Sequence, residues 1–287
     1  MSNAKAERAT MKMLRLPSGK PIHLLGQGTW GMGQHHSKRK DEVAALRLGL
    51  DLGMGLIDTA EMYGEGGAEK VVGEAIDGRR DEVFIVTKVY PHNANRTGAV
   101  AACERSLKRL KTDYVDLYLL HWIGSVPVAE TLEAFERLKS DDKILEYGIS
   151  NFDKRDIEKA FVLPGGNQIA TDQVLYNLQR RGIERDLLPW CREHGMPIMA
   201  YSPIEQGRIL KDKQLKLVAA RHNVTPAQVA LAWVLKQEGI VAIPKASNPS
   251  HVQENRASLD VELTDEDFAE LDRAFPPPRK KVPLEMI

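Results

Sequence analysis

The sequence predicts an α/β fold, a (β/α)8 TIM barrel with an N-terminal β-hairpin and extra C-terminal helices. Short apolar segments alternate with amphipathic ones through about 250 residues, which is a usual length for such a barrel. Eight β/α units can be counted, and no change of composition divides them. Right-handed crossovers would close this series into a barrel. The competing architecture, an open doubly wound sheet, is disfavoured by this count of eight units.

A β-hairpin is the first predicted element. Apolar and polar residues alternate on both sides of Pro17-Ser-Gly-Lys20, so residues 13–25 are expected to pair and to plug the bottom of the barrel. The glycine-dense segment 26–33 ends the first barrel strand. The other seven strands are predicted at residues 55–59, 83–89, 115–121, 144–150, 170–176, 197–201 and 241–244. Helical periodicity places helices at residues 41–53, 68–76, 98–110, 128–139, 153–161 and 184–194.

Two helical segments and a proline-rich tail lie outside this simple alternation. Residues 213–238 are expected to form two helices that meet near Thr225-Pro226. Residues 264–275 are expected to form a helix that opens on a capping box. The last residues, 276–287, are rich in proline and predict extended surface chain.

Length, charge and cysteine content limit the class of protein. The chain has 287 residues, of which 43% are hydrophobic, so we expect one domain over residues 11–287 after a flexible tail at residues 1–10. Basic and acidic residues number 40 each, and this zero net charge gives no general attraction to nucleic acid or anionic membranes. Cys103 and Cys191 lie in predicted helices, which indicates buried thiols and a reducing compartment. Neither a signal peptide nor a membrane span is apparent, so a soluble cytoplasmic protein is expected.

Polar side chains occur where three neighbouring predicted strands end. Asp58 and Tyr63 follow the second strand, Lys88 lies near the end of the third, and His121 and Trp122 end the fourth. The carboxyl ends of parallel barrel strands meet at one mouth, and barrels of this class carry their chemistry there. Each residue alone also fits an ordinary structural role, such as a loop cap or a core histidine. Together they predict an active site.

A set of motifs in chain order resembles the aldo-keto reductase superfamily, and in particular its small bacterial members of the methylglyoxal-reductase kind. The motifs are Gly28-Thr-Trp-Gly31, Asp58-Thr-Ala-Glu-Met-Tyr63, Thr87-Lys88, Leu120-His-Trp122, Gly148-Ile-Ser-Asn-Phe152, Gln173, Tyr201-Ser-Pro203 and Ile243-Pro-Lys245. The resemblance implies NADPH-dependent reduction of small aldehydes or ketones, such as methylglyoxal or aromatic aldehydes, to alcohols. It also implies a monomer.

The resemblance implies that Asp58, Tyr63, Lys88 and His121 are the catalytic residues. Hydride delivery to a carbonyl carbon builds negative charge on the oxygen, so a donor must protonate that oxygen, and Tyr63 is the expected acid. A phenol has a pKa near about 10, which a nearby ammonium would lower. Lys88 is expected to supply that ammonium, with Asp58 as its counter-ion. His121 is expected to orient the substrate, beside a pocket wall that includes Trp30, Tyr63 and Trp122.

The residues that contact the cofactor in the family match this sequence less completely than the catalytic residues do. The implied positions are Gly28, Thr29, Trp30, Asp58, Ser150, Asn151, Gln173, Tyr201, Ser202, Pro203, Ile204, Gly207, Lys245, Ala246, Ser247, His251, Glu254 and Asn255. Lys245 would meet the 2′-phosphate of NADPH, but His251 stands where the family usually has an arginine. An imidazole does not replace a bidentate guanidinium, so NADH remains possible as a cofactor. Arg208 and Arg256 could compensate, or they could be solvated surface charges.

Other functions remain open on the sequence alone. A cofactor-binding regulatory subunit that senses redox state would use the same residues on the same barrel. A phosphate-binding isomerase would share the fold but not the motifs. No metal site is expected, because His35 and His36 form a pair without further ligands at metal spacing. The loop at residues 123–128 and the tail are short, so we expect an open pocket that favours small activated aldehydes over steroids.

Overall fold

A computed structural model describes residues 12–287, and its centre is a barrel of eight parallel strands. In chain order these strands are β3 (Gly26–Gly28), β4 (Leu56–Asp58), β5 (Phe84–Val89), β6 (Val115–Leu120), β7 (Ile144–Ser150), β8 (Asp172–Leu175), β9 (Ile198–Tyr201) and β10 (Ile240–Ala242). Neighbouring strands follow the chain order from β3 to β10. Parallel bridges from Leu25 to Ala242 and from Gly28 to Lys245 bring the last strand back to the first. The predicted (β/α)8 barrel is therefore confirmed.

Helices cover the outside of the barrel. They are α1 (Arg39–Asp51), α2 (Gly67–Ala75), α3 (Gly98–Leu110), α4 (Val128–Ser140), α5 (Lys154–Phe161), α6 (Leu187–Glu193), α7 (Lys213–Arg221), α8 (Pro226–Leu235), α9 (Pro249–Ala257) and α10 (Asp265–Ala274). The two-helix prediction for residues 213–238 is confirmed, because α7 and α8 meet at a capping box in which Thr225 and Gln228 bond to each other's main chain. The helix predicted at 184–194 is shorter and begins after a 3₁₀ turn, Gly182–Arg185.

The predicted hairpin closes the bottom of the barrel. Strands β1 (Met13–Arg15) and β2 (Pro21–His23) pair antiparallel, and the turn between them is held by a Leu16 N–H donating to Lys20 O at 2.9 Å. Leu16 and Ile22 are buried in the inner core of the barrel. The hairpin therefore plugs this end of the barrel.

The alternation of side chains along each strand decides what faces the barrel interior. In β5, Phe84 and Val86 join the inner core, whereas Ile85 and Val89 pack in the layer between the strands and the helices. Lys88 has the same parity as Phe84 and Val86, so its side chain enters the barrel. The strand therefore positions one ammonium at the top of an apolar interior.

The C-terminal tail is extended, as predicted, but it is fixed to the barrel. Lys281 pairs with Asp153 at 3.2 Å and with Asp186 at 2.7 Å, and Arg180 pairs with Glu285. The predicted flexible segment, residues 1–10, lies outside the described residues. Within residues 12–287, no helix is long and apolar enough to cross a membrane.

Candidate active site

An ion pair between β4 and β5 forms the polar centre of the barrel mouth. Lys88 Nζ lies 2.8 Å from Asp58 Oδ1 and 2.9 Å from Asp58 Oδ2, and it also donates to the Thr59 carbonyl at 2.8 Å. The same ammonium lies 3.3 Å from the Tyr63 hydroxyl and 4.8 Å from the centre of its ring. The side chains of Asp58, Tyr63 and Lys88 thus converge at the mouth of the barrel, as the sequence predicted.

A second contact fixes the carboxylate of this pair. Gln173 Nε2, from β8, donates to Asp58 Oδ1 at 2.7 Å and also lies 2.9 Å from the Met199 sulfur. Asp58 and Gln173 are each 2% exposed. A buried carboxylate needs its lone pairs satisfied, and Lys88 does this from the neighbouring strand β5 while Gln173 does it from β8, across the barrel.

The pKa of Tyr63 moves in the direction opposite to the one expected. Burial raises the pKa of the phenol well above its usual value, and the negative charge of Asp58 raises it further. Lys88 does not reverse this, because Asp58 neutralises much of the ammonium's field at close range. Burial also lowers the pKa of Lys88, although Asp58 opposes that shift. The phenol is consequently held in its protonated form at neutral pH.

His121 completes the inner part of the site at the end of β6. Its ring packs edge-on to Tyr63 at 5.7 Å between centroids and lies 4.9 Å from the Trp122 ring. Burial and the positive charge of Lys88 lower the pKa of His121 to about 2. Its Nδ1 has no hydrogen-bond partner within residues 12–287. The imidazole is therefore neutral at physiological pH.

A hydrogen-bonded edge of amide and hydroxyl groups lies across the mouth from Tyr63. Tyr201 OH donates to Asn151 Oδ1 at 3.0 Å, and Asn151 Nδ2 donates to the His121 carbonyl at 3.2 Å. Ser150 Oγ donates to the Gln173 carbonyl at 2.7 Å. Asn151 has a left-handed φ of 60°, a conformation that few non-glycine residues adopt. Such an edge offers both donors and acceptors to a carboxamide.

The loop after β9 has three residues with left-handed backbone conformations, and buried side-chain contacts hold it in place. Ser202, Glu205 and Gln206 have φ values of 47°, 51° and 52°, all in the left-handed region. Glu205 is 1% exposed and accepts from Arg180 at 3.0 Å and from Asn177 at 2.8 Å. These contacts stabilise a backbone that would otherwise cost about 1–3 kcal/mol at each such residue.

The segment from β10 into α9 forms the far end of the cavity. Gly28 lies so close to the residue after β10 that a Cβ atom there would be 2.7 Å from the Ile243 carbonyl oxygen. Lys245 Nζ lies 3.2 Å from Ser247 Oγ, and burial lowers the pKa of this ammonium. His251 is exposed in the first turn of α9 and lines the cavity.

Most of the predicted site residues line one cavity of about 480 Å³. The predicted residues in its wall are Gly28, Thr29, Trp30, Asp58, Tyr63, His121, Trp122, Ser150, Asn151, Gln173, Tyr201, Ser202, Pro203, Ile204, Gly207, Lys245 and His251. Five predicted residues are outside the wall, namely Lys88 behind Asp58, and Ala246, Ser247, Glu254 and Asn255 on the loop and helix that follow Lys245. No cluster of three or more potential metal ligands occurs within residues 12–287.

Comparison with known proteins identifies the family. The model of the aldo/keto reductase family matches residues 24–275. The chain belongs to this family. It is 54% identical over 281 residues to methylglyoxal reductase YeaE of Escherichia coli (strain K12), covering 96% of this chain and 99% of that protein. It is 34% identical to the glyoxal reductase of Bacillus subtilis (strain 168), covering 90% and 91%. A crystal structure of an aldo/keto reductase from Klebsiella pneumoniae in complex with NADP and acetate has a TM-score of 0.94 and 48% identity, covering 97% of this chain and 100% of that one.

Seven residues in the cavity wall of this aldo/keto reductase were not predicted as site residues. They are Met62, Gln206, Leu210, Ile243, Pro244, Met286 and Ile287. Three of them, Met62, Ile243 and Pro244, lie inside the sequence motifs given above, so they could have been predicted as cavity residues from those motifs. No sequence motif indicated Met286 and Ile287, because the tail was expected to remain on the surface. Its end instead contributes to the mouth.

Proposed function

We propose that this aldo/keto reductase uses NADPH to reduce small aldehydes and ketones, including dicarbonyls such as methylglyoxal, to alcohols. The observation that carries the proposal is the Tyr63 hydroxyl, held 3.3 Å from the buried Lys88 ammonium in the wall of an open cavity. Relatives named as methylglyoxal and glyoxal reductases, and a related structure that contains NADP, support the same reaction and cofactor.

The residues present fit a nicotinamide dinucleotide. Asn151, Ser150 and Gln173 would hold the carboxamide, and the Tyr201 ring, between them and the loop after β9, would stack on the nicotinamide. Lys245, at the far end of the same cavity, would meet a phosphate. When bound, this group supplies the hydride.

The protein's own residues account for the proton. Tyr63 is protonated at neutral pH and transfers its proton to the carbonyl oxygen while the carbonyl carbon receives the hydride. The phenolate left behind is stabilised by the Lys88 ammonium, and Asp58 keeps that ammonium in place. Neutral His121 donates a hydrogen bond that orients the carbonyl oxygen toward Tyr63. A proton from solvent then restores the phenol.

The shape of the mouth favours a small substrate. Trp30 is 59% exposed, and together with Trp122 it forms an aromatic side of the mouth. Met286 and Ile287 close the cavity from the tail side. This apolar rim around a few polar groups suits a short dicarbonyl or an aromatic aldehyde better than a steroid.

The alternative of a redox-sensing regulatory subunit gains no support from the comparisons, since the named relatives are reductases. We also propose a cytoplasmic monomer with a single domain over residues 11–287. Light scattering on a size-exclusion column and a single cooperative unfolding transition would test the last two points.

The experiment follows consumption of reduced nicotinamide by absorbance, with NADPH and NADH in parallel. The substrates are methylglyoxal, a nitrobenzaldehyde, a sugar aldehyde and a steroid ketone. We expect turnover of the first two at the highest kcat/KM. Tight cofactor binding without turnover of any carbonyl would instead support the sensing subunit, and faster steroid reduction would contradict the substrate class.

A further inference from the structure

The far end of the cavity lacks a guanidinium for a phosphate. Lys245 contacts only Ser247 through its ammonium among the polar contacts of residues 12–287. Both arginines considered from the sequence already have an acidic partner. Arg256 pairs with Asp260 at 2.9 Å, and Arg208 pairs with Glu205 at 2.7 Å. A second, unpaired cation for a dianionic phosphate is present on a neighbouring element.

The N-terminus of α1 lies next to that of α9. Helix α1 follows strand β3 and helix α9 follows strand β10, so both helices begin at the carboxyl rim of the barrel. Strands β3 and β10 are neighbours, because the bridges between their ends close the barrel. The helices also pack side by side. Three consecutive basic residues, Lys38, Arg39 and Lys40, mark the start of α1. The sequence analysis gave them no role.

These three cations differ in what they already contact. Arg39 is committed to Glu74 through hydrogen bonds of 2.7 and 2.9 Å. Lys38 is exposed and forms no ion pair within residues 12–287, and its charge adds to burial in lowering the pKa of Lys245. Lys40 is exposed as well, but it is not among the charges that shift the pKa of Lys245. Lys38 is thus an unpaired cation at the start of α1, the helix that packs beside α9 at the phosphate end of the cavity.

We propose that Lys38, together with Lys245, binds the 2′-phosphate of NADPH and so replaces the guanidinium that His251 does not provide. The proposal rests on the cofactor assignment above. Two neighbouring ammonium groups repel each other, and an anion bound between them relieves that repulsion. The negative charge of Glu42 opposes the effect of Lys38 on the Lys245 pKa, but this carboxylate is buried, accepts from the Gly33 N–H at 2.9 Å and forms no ion pair with Lys38 within residues 12–287.

The test measures binding, not turnover. Quenching of tryptophan fluorescence gives the Kd of NADPH and of NADH for the wild type, Lys38→Gln and Lys40→Gln. We expect Lys38→Gln to weaken NADPH about tenfold while NADH changes less than about twofold. Lys40→Gln is the matched control, because it removes the same charge from the same turn. It should leave the ratio of the two Kd values unchanged.

Two further measurements locate the effect. Lys38→Gln should weaken 2′,5′-ADP more than 5′-AMP, since these probes differ only in the 2′-phosphate. In the Lys38→Gln background, His251→Arg should restore NADPH binding. Equal losses for NADPH and NADH, an unchanged NADPH Kd, or an equal effect of Lys40→Gln would overturn the proposal. None of these readouts needs a carbonyl substrate, so a failure of the proposed reaction would be seen separately.

Discussion

The Lys88 ammonium and the Asp58 carboxylate form a contact of 2.8 and 2.9 Å at the top of the barrel interior, and neither side chain exceeds 3% exposure. Such a pair repays its desolvation only while both partners are present. The pair links strands β4 and β5. It also positions the ammonium beside the proposed acid, because the Tyr63 hydroxyl lies 3.3 Å from Lys88 Nζ.

Removing one partner of this pair should be costly for folding. We expect Lys88→Met to lower the free energy of unfolding by about 3–5 kcal/mol, because Asp58 would be buried without a counter-ion. Urea denaturation measures this change. The double variant Asp58→Asn/Lys88→Met should be more stable than the single one. Lys159→Met, which removes an exposed pair with Asp156, should cost less than about 1 kcal/mol. Equal stability of the single and double variants would contradict the account.

Replacing the proposed acid should separate chemistry from binding. We expect Tyr63→Phe to lower kcat by at least about a thousandfold, because the proton donor is lost. The Kd of NADPH should stay within about threefold, since Asn151 and Gln173 remain. Tyr114→Phe, at the bottom of the barrel under Arg80, is the control and should leave kcat unchanged. A Tyr63→Phe variant that keeps more than a tenth of wild-type turnover would remove Tyr63 from the acid role.

The lowered pKa of His121 has a consequence for stability. The unfolded chain protonates this imidazole near pH 6.5, whereas the folded protein keeps it neutral down to about pH 2. The unfolded state therefore binds more protons below pH 6.5, and stability falls as the pH is lowered. We expect His121→Gln to reduce that dependence between pH 6.5 and 4.5, and exposed His36→Gln to leave it unchanged. Parallel curves for wild type and His121→Gln in urea titrations would show that the imidazole is not held neutral.

One guanidinium connects the tail to the loop after β9. Arg180 pairs with Glu205 in that loop and with Glu285 in the tail. We expect Glu285→Gln to raise the KM for the carbonyl several-fold, because Met286 and Ile287 would lose their anchor, while the NADPH Kd stays within about twofold. Arg180→Met should impair both. Loss of cofactor affinity in Glu285→Gln as large as in Arg180→Met would mean that the tail and the loop are not separately held.

The fold and the inner site were accessible from the sequence because they depend on local patterns. Strand parity alone directs Lys88 into the barrel, and parallel strands bring their ends to one mouth, so Asp58 and His121 follow. The family resemblance then added Gln173 and Lys245. Both are far from Asp58 in the chain, so hydrophobic periodicity could not have placed them near it.

What the sequence did not reveal depends on contacts between distant segments. Arg180 and Glu285 are 105 positions apart, and nothing in the composition of either segment indicates the pair. The direction of the Tyr63 pKa was predicted wrongly for a related reason. It is set by the balance of burial, Asp58 and Lys88, and residue types alone do not give the depth of burial.

The measurement that tests the central claim most directly is isotope transfer. The wild-type protein reduces methylglyoxal with NADPH that carries deuterium at the transferable position of the nicotinamide, and the product alcohol is analysed by mass spectrometry and NMR. We predict one deuterium on the carbinol carbon and a solvent-derived proton on the oxygen. An alcohol without deuterium, or no alcohol at all, would contradict direct hydride reduction at this site.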